Sequence, residues 1–363
     1  MMLTLACLLL AAPADTLALN IEPTRELPRH SEGAFVTLRD GRVLFCYTEF
    51  TGGAADESPA HLVGIESADG GRTWGRPREI VANDGGSNVM SVSLLRLKSG
   101  RLALFYLRKD SWLECRPYLR TSDDEGATWS EPRRIGSAPG YFVLNNDRVV
   151  QLASGRLIVP LAWHRSRGED PETSRSFDAR AIDIWLLSDD DGATWREART
   201  WWALPVVTGS GLQEPGVVEL GDGSLLCFAR TDQGQQWEMR STDGGERWTA
   251  PVAGPLASPL SPASIKRLPG SDRLLAVYND HSGRFAFPKG KRTPLVAAVS
   301  DDGGRTWTGH RAIEDDPDGW YCYTALHFVG DQVLLGYCAG DSKVGGLNRL
   351  RIRRIPLDWL TKG

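Results

Sequence analysis

One eight-residue phrase recurs five times along the chain, and no other feature limits the fold so strongly. Ser300-Asp301-Asp302-Gly303-Gly304-Arg305-Thr306-Trp307 reads Ser-x-Asp-x-Gly-x-Thr-Trp. Residues 67–74, 122–129 and 188–195 match it at every fixed position, and residues 241–248 depart only at Arg247, where Thr is expected. Successive copies start 55, 66, 53 and 59 residues apart, room for one supersecondary unit each. A repeat of that length predicts similar units packed side by side. Within a copy, Asp and Gly supply a hairpin turn: the Asp side chain caps backbone N–H groups and the Gly accepts positive φ. The Ser and Thr hydroxyls bond the same loop, and the Trp is expected between neighbouring units with its N–H satisfied locally. These residues read as fold staples, not catalysts.

A second repeat can be counted independently. A turn and a β-rich run appear as Asp40-Gly41-Arg42-Val43-Leu44-Phe45-Cys46-Tyr47, and again from Ser99, Ser154, Asp222, Ser271 and Gly330. Each is preceded by another apolar run, so the chain holds six strand–turn–strand units. With the hairpin of the first repeat, a unit has four short antiparallel strands in about 60 residues. The sixth unit lacks the phrase, and a strand near Leu17–Ile21 is expected to complete it. No stretch carries sustained helical periodicity. The expectation is an all-β chain: a six-bladed β-propeller with five such hairpins, one domain over residues 15–363. The phrase resembles the Asp-box of sialidase-like β-propellers, and the resemblance implies the same fold. It constrains function less, because the box also decorates other sugar-active and binding propellers.

Composition narrows the partners. The chain is 41% hydrophobic and 24% charged, as in soluble globular domains. A net charge of −4 and the lack of a basic run exclude a nucleic-acid partner. Residues 1–14 read as a secretory signal without the usual positive start, so a secreted or periplasmic location is expected. That segment is too short to span a membrane. Of six cysteines, Cys7 lies inside it. The other five are an odd number without CxxC spacing, which argues against a disulfide framework or a zinc site. Cys46, Cys227 and Cys338 fall in apolar strand patterns and read as small core residues. Acidic clusters at 189–191 and 314–316 read as solvated turns, and neither a metal nor a cofactor is expected.

A propeller directs the start of each first strand into one funnel, so those residues compete for a single pocket. They are Ser31-Glu32, Met90-Ser91, residues 145–148 ending in Arg148, Glu214, residues 261–264, and Tyr323. The ends of the second strands and the following loops add Asp56, Arg108, His164, Arg230 and Asp280. An ordinary core would place no ionisable group at such positions.

Several of these residues resemble the catalytic set of the sialidases. In that family three arginines hold the substrate carboxylate, a Tyr–Glu pair provides the nucleophile, and an Asp on a mobile loop is the acid/base. The anomeric carbon already bears a carboxylate, so a neutral phenol avoids the repulsion that a carboxylate nucleophile would meet. Tyr323-Thr324-Ala325-Leu326 resembles the nucleophile segment Tyr-Ser-x-Leu, with Tyr321 a nearby alternative. Glu214 and Arg230 resemble the base and a carboxylate clamp, and Arg292 the third arginine. Arginine suits that work because its planar fork grips a carboxylate bidentately. Asp56, in a Gly/Ala-rich loop at residues 51–59 beside Glu57, takes the acid/base place.

The first-blade arginine is where the chain departs. Counting back from Asp56 lands on Ser31, while Arg29 is two residues off and is expected to point elsewhere. Glu32 in the funnel would repel a carboxylate, and Arg148 or Arg108 would have to compensate. The leading expectation is an exo-acting retaining glycosidase that releases terminal sialic acid or a related acidic sugar from glycans. The alternatives are a glycosidase or polysaccharide lyase for a neutral or uronic-acid sugar, with Tyr323 or His164 as base, and a non-catalytic glycan-binding propeller. A binding module has no reason to bring Asp56, Glu214 and Tyr323 together.

Overall fold

The apolar runs of the sequence form short strands, and most strands pair antiparallel with their chain neighbours. The computed structural model describes residues 16–361; the segment read as a signal, residues 1–14, lies outside them. Four sheets have four strands each. The first is Arg29–Thr37, Val43–Phe50, Ala60–Ser67 and Arg78–Val81. A fourth unit runs from Gln213–Glu219 to Val252–Ala257, a fifth from Ser264–Arg267 to Thr308–Glu314. In the last sheet Trp320–Val329, Gln332–Gly340 and Leu350–Pro356 are completed by Leu17–Ile21 from the other end of the chain, the strand expected there. The second and third units merge into one ten-stranded sheet, because Tyr141–Val143 pairs with Leu157–Ser166 on one side and with Cys115 on the other. Among the described residues the helices are a 3-10 turn at Ser174–Ser176 and Leu357–Thr361.

Each phrase folds as its chemistry requires. In the fifth copy Ser300 Oγ accepts from Gly304 N at 2.9 Å and donates to Asp302 Oδ1 at 2.8 Å. Asp302 then accepts from Thr306 N and Thr306 Oγ1 at 2.9 and 2.6 Å. The fixed glycines, Gly71, Gly126, Gly192, Gly245 and Gly304, all have φ between 80° and 88°. They also lie against a neighbouring unit. A Cβ on Gly192, Gly245 or Gly304 would meet Leu119, Ile158 or Leu226 of the unit before at 2.8 to 2.9 Å. A Cβ on Gly71 of the first unit would lie 2.5 Å from Leu334 of the sixth. One expectation needs correcting: only Trp195 has its indole N–H bonded locally, to Gly192 O at 3.1 Å. The indole nitrogens of Trp74, Trp129, Trp248 and Trp307 are buried without a protein partner. The ring's apolar area holds these positions, not its polar handle.

The second strands carry the core. Val43–Phe50 and Gln332–Gly340 are buried at every position, since sheet neighbours cover their edges and adjacent units cover their faces. Phe35, Phe45 and Tyr47 of the first unit pack with Leu334, Leu350 and Ile352 of the sixth. Each such side chain contributes about 1.5–3 kcal/mol on burial.

Candidate active site

The first strands share a backbone defect. Among the described residues, seven non-glycine ones have positive φ, and five of them, Glu32, Ser91, Asp147, Glu214 and Tyr323, lie on or just before the first strands of different units. At Glu32, Ser91, Glu214 and Tyr323 the pairing with the second strand skips, as a β-bulge requires. A left-handed conformation costs a non-glycine residue about 1–3 kcal/mol and persists only where its surroundings enforce it. The surroundings do so here. Asn146 Nδ2 donates to Gly33 O at 2.8 Å and to Tyr323 O at 3.0 Å. Ser91 N donates to Thr48 Oγ1 at 3.1 Å, and Leu326 N to Asp147 Oδ2 at 2.9 Å.

Four of these five residues, those at the bulges, face one cavity of about 390 Å³: Glu32, Ser91, Glu214 and Tyr323. Asp56, Arg230 and His164 line it as well. Its polar wall is tightly coupled. Arg230 Nη1 donates to Glu214 Oε1 at 2.7 Å and to Tyr323 Oη at 3.3 Å, and Tyr323 Oη donates to the same Glu214 oxygen at 3.3 Å. The other Glu214 oxygen is buried and unpaired. Arg292 stands 5.5 Å from the Tyr323 ring centre and 5.4 Å from that of Trp320, with its Nη1 buried and unpaired. Burial, and then the nearby Glu214 carboxylate, push the Tyr323 phenol well above its usual value, while Arg230 and Arg292 oppose them. The opposite wall is aromatic. Trp112, Tyr141 and Phe177 line it, with Lys109 Nζ 4.1 Å from the Trp112 ring centre.

Arg29 overturns an expectation. Its guanidinium is buried and donates to Asp56 Oδ1 at 2.6 Å, to Glu32 Oε1 at 3.4 Å and to Ser31 Oγ at 3.4 Å. A residue two places from Ser31 points to the same side of a strand, so the offset from the family spacing does not turn Arg29 away. Arg29 therefore stands with the two acids of the first unit, Glu32 and Asp56. Burial pushes the Glu32 carboxyl up to about 7, although Arg29 pulls it down. Burial would likewise raise Asp56, but Arg29 outweighs it and holds that carboxyl below its usual range. The Asp56 side chain is 61% exposed at the lip of the cavity.

Two expected compensators lie elsewhere. Arg148 is buried below the bulges, donating to Ala263 O at 2.7 Å with its guanidinium 5.3 Å from the Phe228 ring centre. It lines a different cavity, with Asp147 and Lys266. Arg108 pairs with Asp110 and Asp84 and stacks on Tyr118. His164 reaches the site, but its Nδ1 bonds Asp178 O at 2.9 Å, and burial lowers its pKa to about 4. It is a neutral packing residue on Phe177. Trp112, expected in a cleft with His164 and Arg148 for a uronic-acid polymer, does line the cavity, whereas nothing local in the sequence marks Tyr141, Phe177 or Lys109.

The described residues fit known proteins throughout. The model of the BNR repeat-like domain matches residues 53–335. A sialidase of Micromonospora viridifaciens is 26% identical over 335 residues, 82% of this chain and 48% of that protein. An anhydrosialidase of Macrobdella decora is 32% identical over 248 residues, 62% of this chain and 29% of that protein. The chain thus spans less than half the length of these curated relatives. Among solved structures, an intramolecular trans-sialidase from Ruminococcus gnavus superposes with a TM-score of 0.74 at 17% identity, covering 97% of this chain and 99% of that one. The family match takes in Asp56, Glu214, Arg230, Arg292 and Tyr323. The chain belongs to the BNR repeat-like domain family.

Proposed function

We propose that this protein is an exo-acting, retaining glycoside hydrolase of the sialidase type, built as a six-bladed β-propeller. Six strand–turn–strand units, with the first packed on the sixth through Gly71 and Leu334, support the propeller reading. One observation carries the chemistry: Tyr323 Oη, Glu214 Oε1 and Arg230 Nη1 stand within 3.3 Å of one another in the cavity that Asp56 also lines. Arg29, Arg230 and Arg292 offer three guanidinium groups to a substrate carboxylate. Glu214 takes the phenol proton as Tyr323 Oη attacks the anomeric carbon. Asp56, at the lip, protonates the departing oxygen and then activates water in the second step. Two displacements at one carbon give retention of configuration. Arg230 stabilises the phenolate as it forms, which a tyrosine raised by burial requires.

The convergence of Asp56, Glu214 and Tyr323 favours an enzyme over a glycan-binding module, and burial, which lowers His164 to about 4, makes it a weak base for a lyase. The test is release of a fluorophore from an α-sialoside by the purified chain. Wild type is expected to turn over. Tyr323→Phe is expected to lose at least about a thousandfold in kcat, the scale of a lost nucleophile. A folded wild type with no release would overturn the reading, and uronic-acid glycans would be the next substrates.

A further inference from the structure

The sequence treated Cys338 as a small core residue, but it does not stand alone. Cys322 and Cys338 are directly opposite each other on the antiparallel strands Trp320–Val329 and Gln332–Gly340. Directly paired residues have Cα atoms about 4.5–5.5 Å apart, inside the range a disulfide spans. Both thiols are free and buried. The pair also connects two of the site's arginines. Cys338 Sγ is 3.2 Å from Ser31 Oγ, which accepts from Arg29 Nη2 at 3.4 Å. On the other side the Arg292 guanidinium is near enough to the Cys322 thiol to favour its ionised form. Cys322 directly precedes Tyr323, at the point where the strand pairing slips.

We propose that Cys322 and Cys338 form a redox modification site beneath the cavity, at which a peroxide closes a disulfide and switches the hydrolase off. One thiol attacks the peroxide; the O–O bond breaks, one oxygen stays on sulfur as a sulfenic acid and the other leaves as water. The second thiol then attacks that sulfur and displaces the hydroxyl as a second water. Two electrons and two protons pass from the thiols to the peroxide, and nothing else is consumed. Cys322 is the first thiol to react, because it is the one beside the Arg292 guanidinium: burial raises it, but Cys338 and Arg292 lower it, whereas Cys338 is itself raised. The isolated thiols are different: burial pushes Cys115 up to about 12 and raises Cys46 and Cys227 as well. Closing the bond removes the Cys338 contact with Ser31 and the Cys322 contact with Arg292. It also pulls on the left-handed bulge that aims Tyr323.

The switch rests on the hydrolase reading, so its test is read in two independent ways. The full chain is treated with hydrogen peroxide, alkylated and mapped by peptide mass, and hydrogen exchange is followed across residues 29–34 and 320–325. The expected result is a linked Cys322–Cys338 peptide pair, with Cys46, Cys115 and Cys227 still alkylated. Exchange in both segments should change, and a thiol reductant should reverse it. Sialoside turnover should fall at least tenfold on oxidation and return on reduction, while Cys338→Ser gives no linked peptide and no peroxide-dependent loss. Free thiols at both positions after treatment would overturn the site. A disulfide that leaves exchange and turnover unchanged would overturn the switch. An inactive reduced enzyme whose exchange still responds would count against the hydrolase reading alone.

Discussion

Arg247 sits at the Thr position of the fourth box and takes over its bonds with other atoms. Its backbone N–H donates to Asp243 Oδ1 at 2.9 Å, and its Nη1 reaches Asp243 Oδ2 at 3.3 Å, where the other copies use the Thr hydroxyl. The box therefore requires an Asp acceptor more strictly than a hydroxyl donor. Arg247→Thr should leave the unfolding free energy within about 0.5 kcal/mol of wild type, as for an exposed surface exchange. Asp302→Ala strands two N–H or O–H donors and the Ser300 hydroxyl, and should cost about 1–3 kcal/mol in urea unfolding. Equal midpoints for the two variants would refute the ranking. The boxes were fully legible in the sequence, because each is a local loop whose partners lie within eight residues. Arg29 was not, since matching a spacing to Ser31 overlooks that residues two apart on a strand face the same side.

First strands with a left-handed residue explain why the candidate site could be read only in part. The register of the six units marks Glu32, Ser91, Glu214 and Tyr323 as strand starts, and all four reach the cavity. Arg148 follows the same rule in sequence but falls just beyond Asp147, where the side chain turns into the other cavity. Long-range packing settles that, and no local signal records it. Glu32 has a consequence that can be measured. A Glu ordinarily titrates near 4.5, and burial raises this one to about 7, so the folded chain holds a proton that the unfolded chain has released between those values. The contribution of Glu32 to stability is complete below pH 4.5 and is lost as pH rises through 7, by up to about 3 kcal/mol. Glu32→Gln should remove that part of the pH dependence. The ionised carboxylate also competes for Arg29, so KM for a sialoside should rise up to about tenfold through pH 7 in wild type and stay flat in Glu32→Gln. A wild-type KM that falls over that interval would contradict the assignment.

The first unit packed against the sixth makes the cavity possible, since residues of the first, second, third, fourth and sixth units line one space. The closing contact can be tested separately from backbone strain. Gly41 and Gly71 both have φ near 87°, but a Cβ on Gly41 meets open space and one on Gly71 meets Leu334 of the sixth unit. Gly41→Ala should cost about 1–2 kcal/mol for the left-handed residue alone. Gly71→Ala should cost more by about 1–3 kcal/mol for overpacking. Equal losses would mean that the two units do not press together there. The account as a whole stands on Tyr323 as the group that bonds covalently to the sugar. A difluorinated sialic acid, which leaves a long-lived glycosyl–enzyme, should be added to the folded chain and the digest read by peptide mass. The predicted result is one sugar adduct on the peptide carrying Tyr323, absent in Tyr323→Phe. Turnover of a sialoside with no adduct, or an adduct on Asp56 or Glu214 instead, would contradict it.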